Sequence, residues 1–349
     1  MASFLTNAHA ANGIGSRLSF AELWAHYEQA QFLYPAKLDY LLPLKAQIGQ
    51  VWTRLLEAPA GLFQAHFSRV RGDVVSSVSA VRDTDDRFII QHAASVTHPE
   101  LLVECLLSIT TAMCSSTART ACIYYRPANK WPARLRKTVG ARQPSALQDQ
   151  TVQEYLTARP VSAPWPRGVE LLDGSLPSAA LHLMRAKWGA LRLDSLGFRD
   201  GRSGLNVTSD AYADAGLRRE RRVLGVVREE RLAGLAVIHL GTFPLNLSFL
   251  CNRVEIVVAP DAPERNIIAC ALLVAAQNIF TEARLPFCTA LVDAEEIPAA
   301  VAAGFTAKGR QYANFLWAKE DERGYPSSAI AVSEWYSVLS RLRERKAED

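Results

Sequence analysis

Apolar residues recur at helical spacing from Phe20 to Ala30 and from Lys37 to Leu56, and Pro35 between the two runs turns the chain. The period then changes. Leu62 to Val70 and Val74 to Val81 alternate as strands do, and Arg71-Gly72-Asp73 supplies the turn of a hairpin. Arg87 to Val96 continues as a strand. Thr97 and Glu100 have capping-box spacing ahead of an apolar helix, Leu101 to Met113, and Ala121 to Tyr125 follows as a short buried strand.

A second segment repeats this plan. Ser209 to Arg221 reads as a polar helix, Val223 to Val227 and Leu232 to Leu240 as a strand pair turning at Arg228 to Arg231, and Arg253 to Val258 as a further strand. Ala262 to Phe280 is a strongly apolar helix, Phe287 to Val292 a buried strand, and Ala294 to Ala303 a short helix that Gly304 ends in a left-handed cap. Tyr312 to Trp317 closes as a strand. Between the segments, from about Gly140 to Arg185, prolines at 144, 160, 164, 166 and 177 break any regular period. The pattern therefore predicts an α/β chain of mixed sheets in two globular domains, residues 20–140 and 186–320. A proline-rich irregular segment over 141–185 joins them, and a helical tail covers 321–349.

The second segment resembles the GCN5-related N-acetyltransferase superfamily. The residues behind this are the strand end Val257-Val258-Ala259-Pro260, the long helix directly after it, the strand Thr289-Ala-Leu-Val292, and the late pair Gly304-Phe305. The first segment resembles it more weakly, so the whole chain looks like two tandem folds of this type. The resemblance implies acyl transfer to an amine or other small-molecule acceptor from acetyl-coenzyme A or a longer acyl-coenzyme A, with no metal. It also implies that Val257, Val258, Arg265 and Asn266 border the coenzyme in the C-terminal domain. One departure stands out: the family's pyrophosphate turn is rich in glycine so that bare amides can approach the anion. Here Asp261-Ala-Pro-Glu-Arg-Asn266 keeps an arginine and has no glycine.

Acyl transfer to an amine needs a base for the nucleophile and an acid for the leaving thiolate. Glu255 is the strand carboxylate placed for the first role, with a salt bridge to a neighbouring arginine as its structural alternative. Tyr312 is the phenol nearest the second, with packing beside Phe315 and Trp317 as the alternative. Asn246, Ser248 and Asn252 are polar positions in an apolar stretch leading to the Glu255 strand; they either line a substrate cleft or serve the turn around Pro244. His239, in an apolar strand, reads as a buried histidine bonded to a neighbour. Arg126 to Pro132, with two prolines, a tryptophan and two cations, reads as a rigid contact loop.

Composition narrows the alternatives. The chain has 349 residues, 49% hydrophobic and 21% charged, and a net charge of +4, values of ordinary globular protein. The arginine clusters at 134–137, 218–222 and 341–346 lack aromatic platforms and read as solvated helix faces, which argues against nucleic acid. No apolar run reaches membrane length, and the start has no secretory pattern, so a cytoplasmic location is expected. The six scattered cysteines offer no zinc ligand set. Three functions stay open: acyl transfer in the C-terminal domain, binding of a small ligand or protein partner on the same fold without catalysis, or a nucleic-acid-binding or regulatory module that uses the arginine clusters.

Overall fold

The computed structural model describes residues 18–319 apart from residues 60, 98, 115, 131, 134, 135 and 138–144; the expected helical tail over 321–349 lies outside the described residues. Ser19 starts the first helix, α1 (Phe20–Gln29), by a reciprocal cap in which its hydroxyl accepts from the Glu22 amide and the Glu22 carboxylate accepts from the Ser19 amide. The helix expected over Lys37 to Leu56 is instead two, α2 (Pro35–Leu41) and α3 (Lys45–Glu57), separated by a 3-10 turn at Leu42–Leu44. Pro43 causes the break, because its ring has no N–H to donate and crowds the preceding turn. β1 (Phe63–Val70) and β2 (Asp73–Thr84) form the expected hairpin. β3 (Arg87–Ser95), α4 (Pro99–Cys114) and β4 (Thr120–Tyr125) follow where the pattern placed them.

Two expectations fail in the middle of the chain. The segment 141–185 is not irregular: it holds β5 (Gln148–Ala158), short β6 (Val169–Leu171) and the start of α5 (Ser178–Ser195). β5 escapes the hydrophobic pattern because its polar side chains are matched by neighbours. Gln311 donates to Glu154 at 2.7 Å, and Arg192 of α5 donates to Gln153 at 2.9 Å and to Thr151 at 3.1 Å. The polar helix expected over Ser209 to Arg221 stops early, as α6 (Val207–Asp214), and Gly216 at φ 65° turns the chain into β7 (Arg219–Arg228). Arg219 and Arg221 consequently sit on a strand. They are 1% and 4% exposed, not the solvated helix face expected of this cluster.

β8 (Arg231–Gly241), β9 (Arg253–Val258), α7 (Arg265–Glu282), β10 (Cys288–Val292), α8 (Ile297–Ala302) and β11 (Thr306–Ala318) complete the chain. All strands among the described residues join one 11-stranded mixed sheet in the order β1-β2-β3-β4-β11-β5-β10-β9-β8-β7-β6. Apart from the extra edge strand β6, the order is symmetric about the β11–β5 pair. β3 lies antiparallel to β2 and parallel to β4, just as β9 lies antiparallel to β8 and parallel to β10. Arg87 to Val96 and Arg253 to Val258 thus correspond, as the repeated pattern predicts. The last strands are exchanged: β11 of the second half pairs with β4 of the first, and β5, which follows the first half, pairs with β10.

The halves also share a core. One apolar cluster runs from Trp24 and Trp52 through Phe243 and Leu247 to Leu272 and Phe280, and the Trp52 indole donates to the Pro244 carbonyl at 3.1 Å. Among the described residues no helix is long and apolar enough to cross a membrane.

Candidate functional site

Parallel strands that stop pairing leave a gap. β3 and β4 are in register from Arg87↔Thr120 to Ile90↔Ile123 and then part. Past that point Gln91 and His92 from β3, and Tyr124, Tyr125 and Arg126 from the end of β4, face a cavity of 320 Å³, within the range of small-molecule sites. The chain from Phe32 through α2 covers it with Tyr34, Lys37 and Tyr40. The segment Asn246 to Leu250 and Arg310 and Tyr312 of β11 close it from the other half, together with Tyr155 of β5.

An irregularity in β3 makes the contact between halves. The β2–β3 register shifts at Ser77/Ser79, and His92 takes φ 53°, a left-handed backbone unusual for a non-glycine residue. The turn presents the imidazole to the second half, where Nε2 accepts from the Leu247 amide at 3.0 Å. The ring proton therefore sits on Nδ1, toward the Ser79 hydroxyl at 3.5 Å. Burial, and then Lys37, hold His92 well below its usual pKa, so it is neutral. Beside it the Gln91 side-chain oxygen accepts from the Asn246 amide, whose own oxygen accepts from the Ser248 amide at 2.8 Å.

The cavity wall is aromatic and basic. Tyr155 packs on Tyr312 with ring centres 4.8 Å apart and donates to the Ser248 carbonyl at 2.9 Å. Arg126 donates to the Tyr34 hydroxyl at 2.7 Å. Lys37 is buried with its ammonium nitrogen 3.8 Å from the centre of the Phe32 ring, and burial, assisted by Arg126, pulls its pKa down to about 7. Burial pushes the Tyr40, Tyr124 and Tyr155 phenols above their ordinary range.

Of the residues singled out from the sequence, Tyr312, Asn246 and Ser248 line this cavity, as does Arg126 of the contact loop. The others lie elsewhere. Glu255 is 1% exposed, and its two oxygens accept from Arg192 and, at 2.8 Å, from Arg253. Burial would raise its pKa, but Arg192 and Arg253 outweigh that and hold it to about 2. Asn252 ties strand ends together by accepting from the Gly241 amide at 2.6 Å and, through its carbonyl, from the Thr289 amide at 2.9 Å. Val257 and Val258 are buried in β9 beyond its last pair with β10. His239 lies between Arg219 and Arg253, as a structural histidine, 3.3 and 3.2 Å from them.

The turn before α7 is where a coenzyme pyrophosphate would sit in a fold of this type. Arg265, its one cation, donates to the Ala259 carbonyl at 2.8 Å and to Glu295 at 2.9 Å. Glu264 stands at the N-cap at φ 55° and Asp261 is exposed beside it, with Asn266 exposed on the first turn. One engaged arginine among three carboxylates does not fit a pyrophosphate. The carboxylates of Asp293, Glu295 and Glu296 approach one another within 4.8 Å, but Asp293 pairs with Lys187, Glu295 with Arg265, and Glu296 caps the Asp293 amide at 2.9 Å.

Sequence reasoning missed Lys37, Tyr34, Tyr40, His92 and Tyr155. Tyr34, Lys37 and Tyr40 recur at i, i+3 spacing from the N-cap through α2, but no local spacing links them to His92 on β3 or to Tyr155 in the segment taken as irregular.

No family model and no curated protein matches the chain. Solved structures similar to it include a tandem GNAT protein from the clavulanic acid biosynthesis pathway, 12% identical, covering 76% of this chain and 86% of that one, at a TM-score of 0.37. A putative acetyltransferase from Pyrococcus horikoshii is 9% identical over 89% of this chain and 92% of its own, at 0.44. A GCN5-related N-acetyltransferase-like protein from Streptococcus suis is 12% identical over 84% and 99%, at 0.40.

Proposed function

We propose that the chain is a small-molecule-binding protein built on two tandem halves of GCN5-related N-acetyltransferase type, with its ligand in the cavity where β3 and β4 part. The observation that carries this reading is the composition of the cavity wall. Six separate pieces of chain bring Lys37, His92, Arg126, Asn246, Tyr155 and Tyr312 to one concave surface. Meanwhile the carboxylate and the arginine that would serve acyl transfer in the C-terminal half are engaged in buried or capping contacts. The free, mostly buried cysteines suit a reducing, cytoplasmic setting.

Acyl transfer from an acyl-coenzyme A to an acceptor in this same cavity is the second reading. One observation favours it: an amine with its pKa brought to about 7, as at Lys37, is a base matched to neutral pH. In that reading Lys37 takes the acceptor's proton and Tyr312 returns one to the leaving group.

Thermal melting of the full chain with acetyl-coenzyme A and with a long-chain acyl-coenzyme A separates the two. A ligand at a hundred times its dissociation constant stabilises by roughly 2.7 kcal/mol. Stabilisation by either, removed by Tyr312→Ala and not by Arg265→Ala, selects acyl transfer in the cavity.

A further inference from the structure

The most deeply buried arginines of this protein, Arg87, Arg192, Arg219 and Arg253, are paired with carboxylates, while Arg82 and Arg221 donate to backbone carbonyls. Asp83 accepts from Arg87, Arg219 and Arg253, and Glu255 accepts from Arg192 and Arg253. Pairing is the general rule, because an isolated buried charge is costly. The cavity departs from it. Buried Lys37 lines it together with exposed Arg126 and half-exposed Arg310, and among the described residues no aspartate or glutamate does. Among the described residues none of the three is ion-paired.

The wall also carries six tyrosines and Phe32, and a ring surface of this kind favours a planar body. We propose that the cavity binds a small aromatic oxyanion, a carboxylate or phosphate carried on a planar ring. Its charged oxygens are taken by Lys37, Arg126 and Arg310, and its ring lies against the tyrosines. Arginine suits either oxyanion, since its fork matches both geometries. This assignment rests on reading the cavity as the ligand site.

Binding then has a proton dependence. The titratable and charged groups that share the cavity with Lys37 are Tyr34 and Tyr40 from its own segment, His92 from β3, Tyr124, Tyr125 and Arg126 from β4 and its end, Tyr155 from β5, and Arg310 and Tyr312 from β11, with no carboxylate among the described residues. In the free protein burial holds its pKa to about 7, and an anion beside it raises that value. Binding therefore takes up a proton. Affinity is full below the free pKa and falls as pH rises above it.

Calorimetry on the full chain tests this with four probes: 4-hydroxybenzoate, phenyl phosphate, the neutral 4-hydroxybenzyl alcohol and inorganic phosphate. At least one aromatic anion should bind about tenfold or more tighter than the alcohol and inorganic phosphate, and the better of the two identifies the oxyanion. Its affinity should drop about tenfold from near pH 6.5 to about pH 8.5, with net proton uptake. Lys37→Arg should keep binding near pH 6.5 and abolish that drop, while Arg310→Gln, at a half-exposed position, should weaken the anion and not the alcohol. If the alcohol binds as tightly as the acid, the anion assignment fails and the ligand-site reading stands. Binding of none of the four overturns both.

Discussion

Tyr155 and Tyr312 pack at 4.8 Å across the two exchanged strands, one carried by β5 and the other by β11, and their rings form part of the cavity wall. The pair exists only because the halves trade their last strands. Tyr155→Ala should therefore destabilise the protein by about 3–5 kcal/mol, the range for truncating a buried aromatic ring, and loosen the segment at Ser248. Tyr312→Phe keeps the ring, so denaturant unfolding should place it within about 1 kcal/mol of wild type. A large loss in Tyr312→Phe would mean that the hydroxyl holds the fold together.

Glu255 gives a pH dependence of stability. Its pKa, about 2 in the folded chain, lies below the unfolded value, so the folded state binds this proton less readily. The stabilisation is present above the unfolded pKa and is lost as pH falls through the folded one. Glu255→Gln leaves Arg192 and Arg253 short of a counter-charge in the interior and should cost about 3–5 kcal/mol near neutrality. Acid titrations followed by circular dichroism should show a shallower loss in the variant than in wild type between about pH 5 and pH 2. A neutral substitution would return Glu255 to the list of catalytic candidates.

Arg265→Ala removes a partly exposed arginine that caps the Ala259 carbonyl and pairs with Glu295. The loss should stay near 1 kcal/mol or below, and binding in the cavity should be unchanged. Calorimetry with coenzyme A checks the point. Tight binding that vanishes in Arg265→Ala would place the coenzyme at α7 and overturn the assignment of the working site.

Gly304 stands at φ 92° after α8, and an added Cβ would come within 3.0 Å of the Gln277 side-chain nitrogen, which donates to the Ala303 carbonyl. Gly304→Ala should cost about 1–2 kcal/mol through the left-handed backbone alone. A melting temperature unchanged from wild type would show that the turn relaxes to another path.

The sequence by itself determined the repeated order of hairpin, strand, helix and strand, because each of those elements writes a local period that survives any packing. It also marked Asn246, Ser248, Tyr312 and the Arg126 loop, as polar or aromatic groups out of keeping with their surroundings. Tertiary structure decided the rest. β5 was illegible because Gln153 and Glu154 are matched by Arg192 and Gln311, which are far away in sequence. The buried arginines at 219 and 221 looked like surface because their partners, Asp83 and the carbonyls of residues 196–204, are brought by other elements. The cavity could not be read locally at all. Lys37, His92, Tyr155 and Tyr312 meet only when the halves exchange strands, and the pKa of a lysine depends on which water, rings and charges surround it in the finished fold.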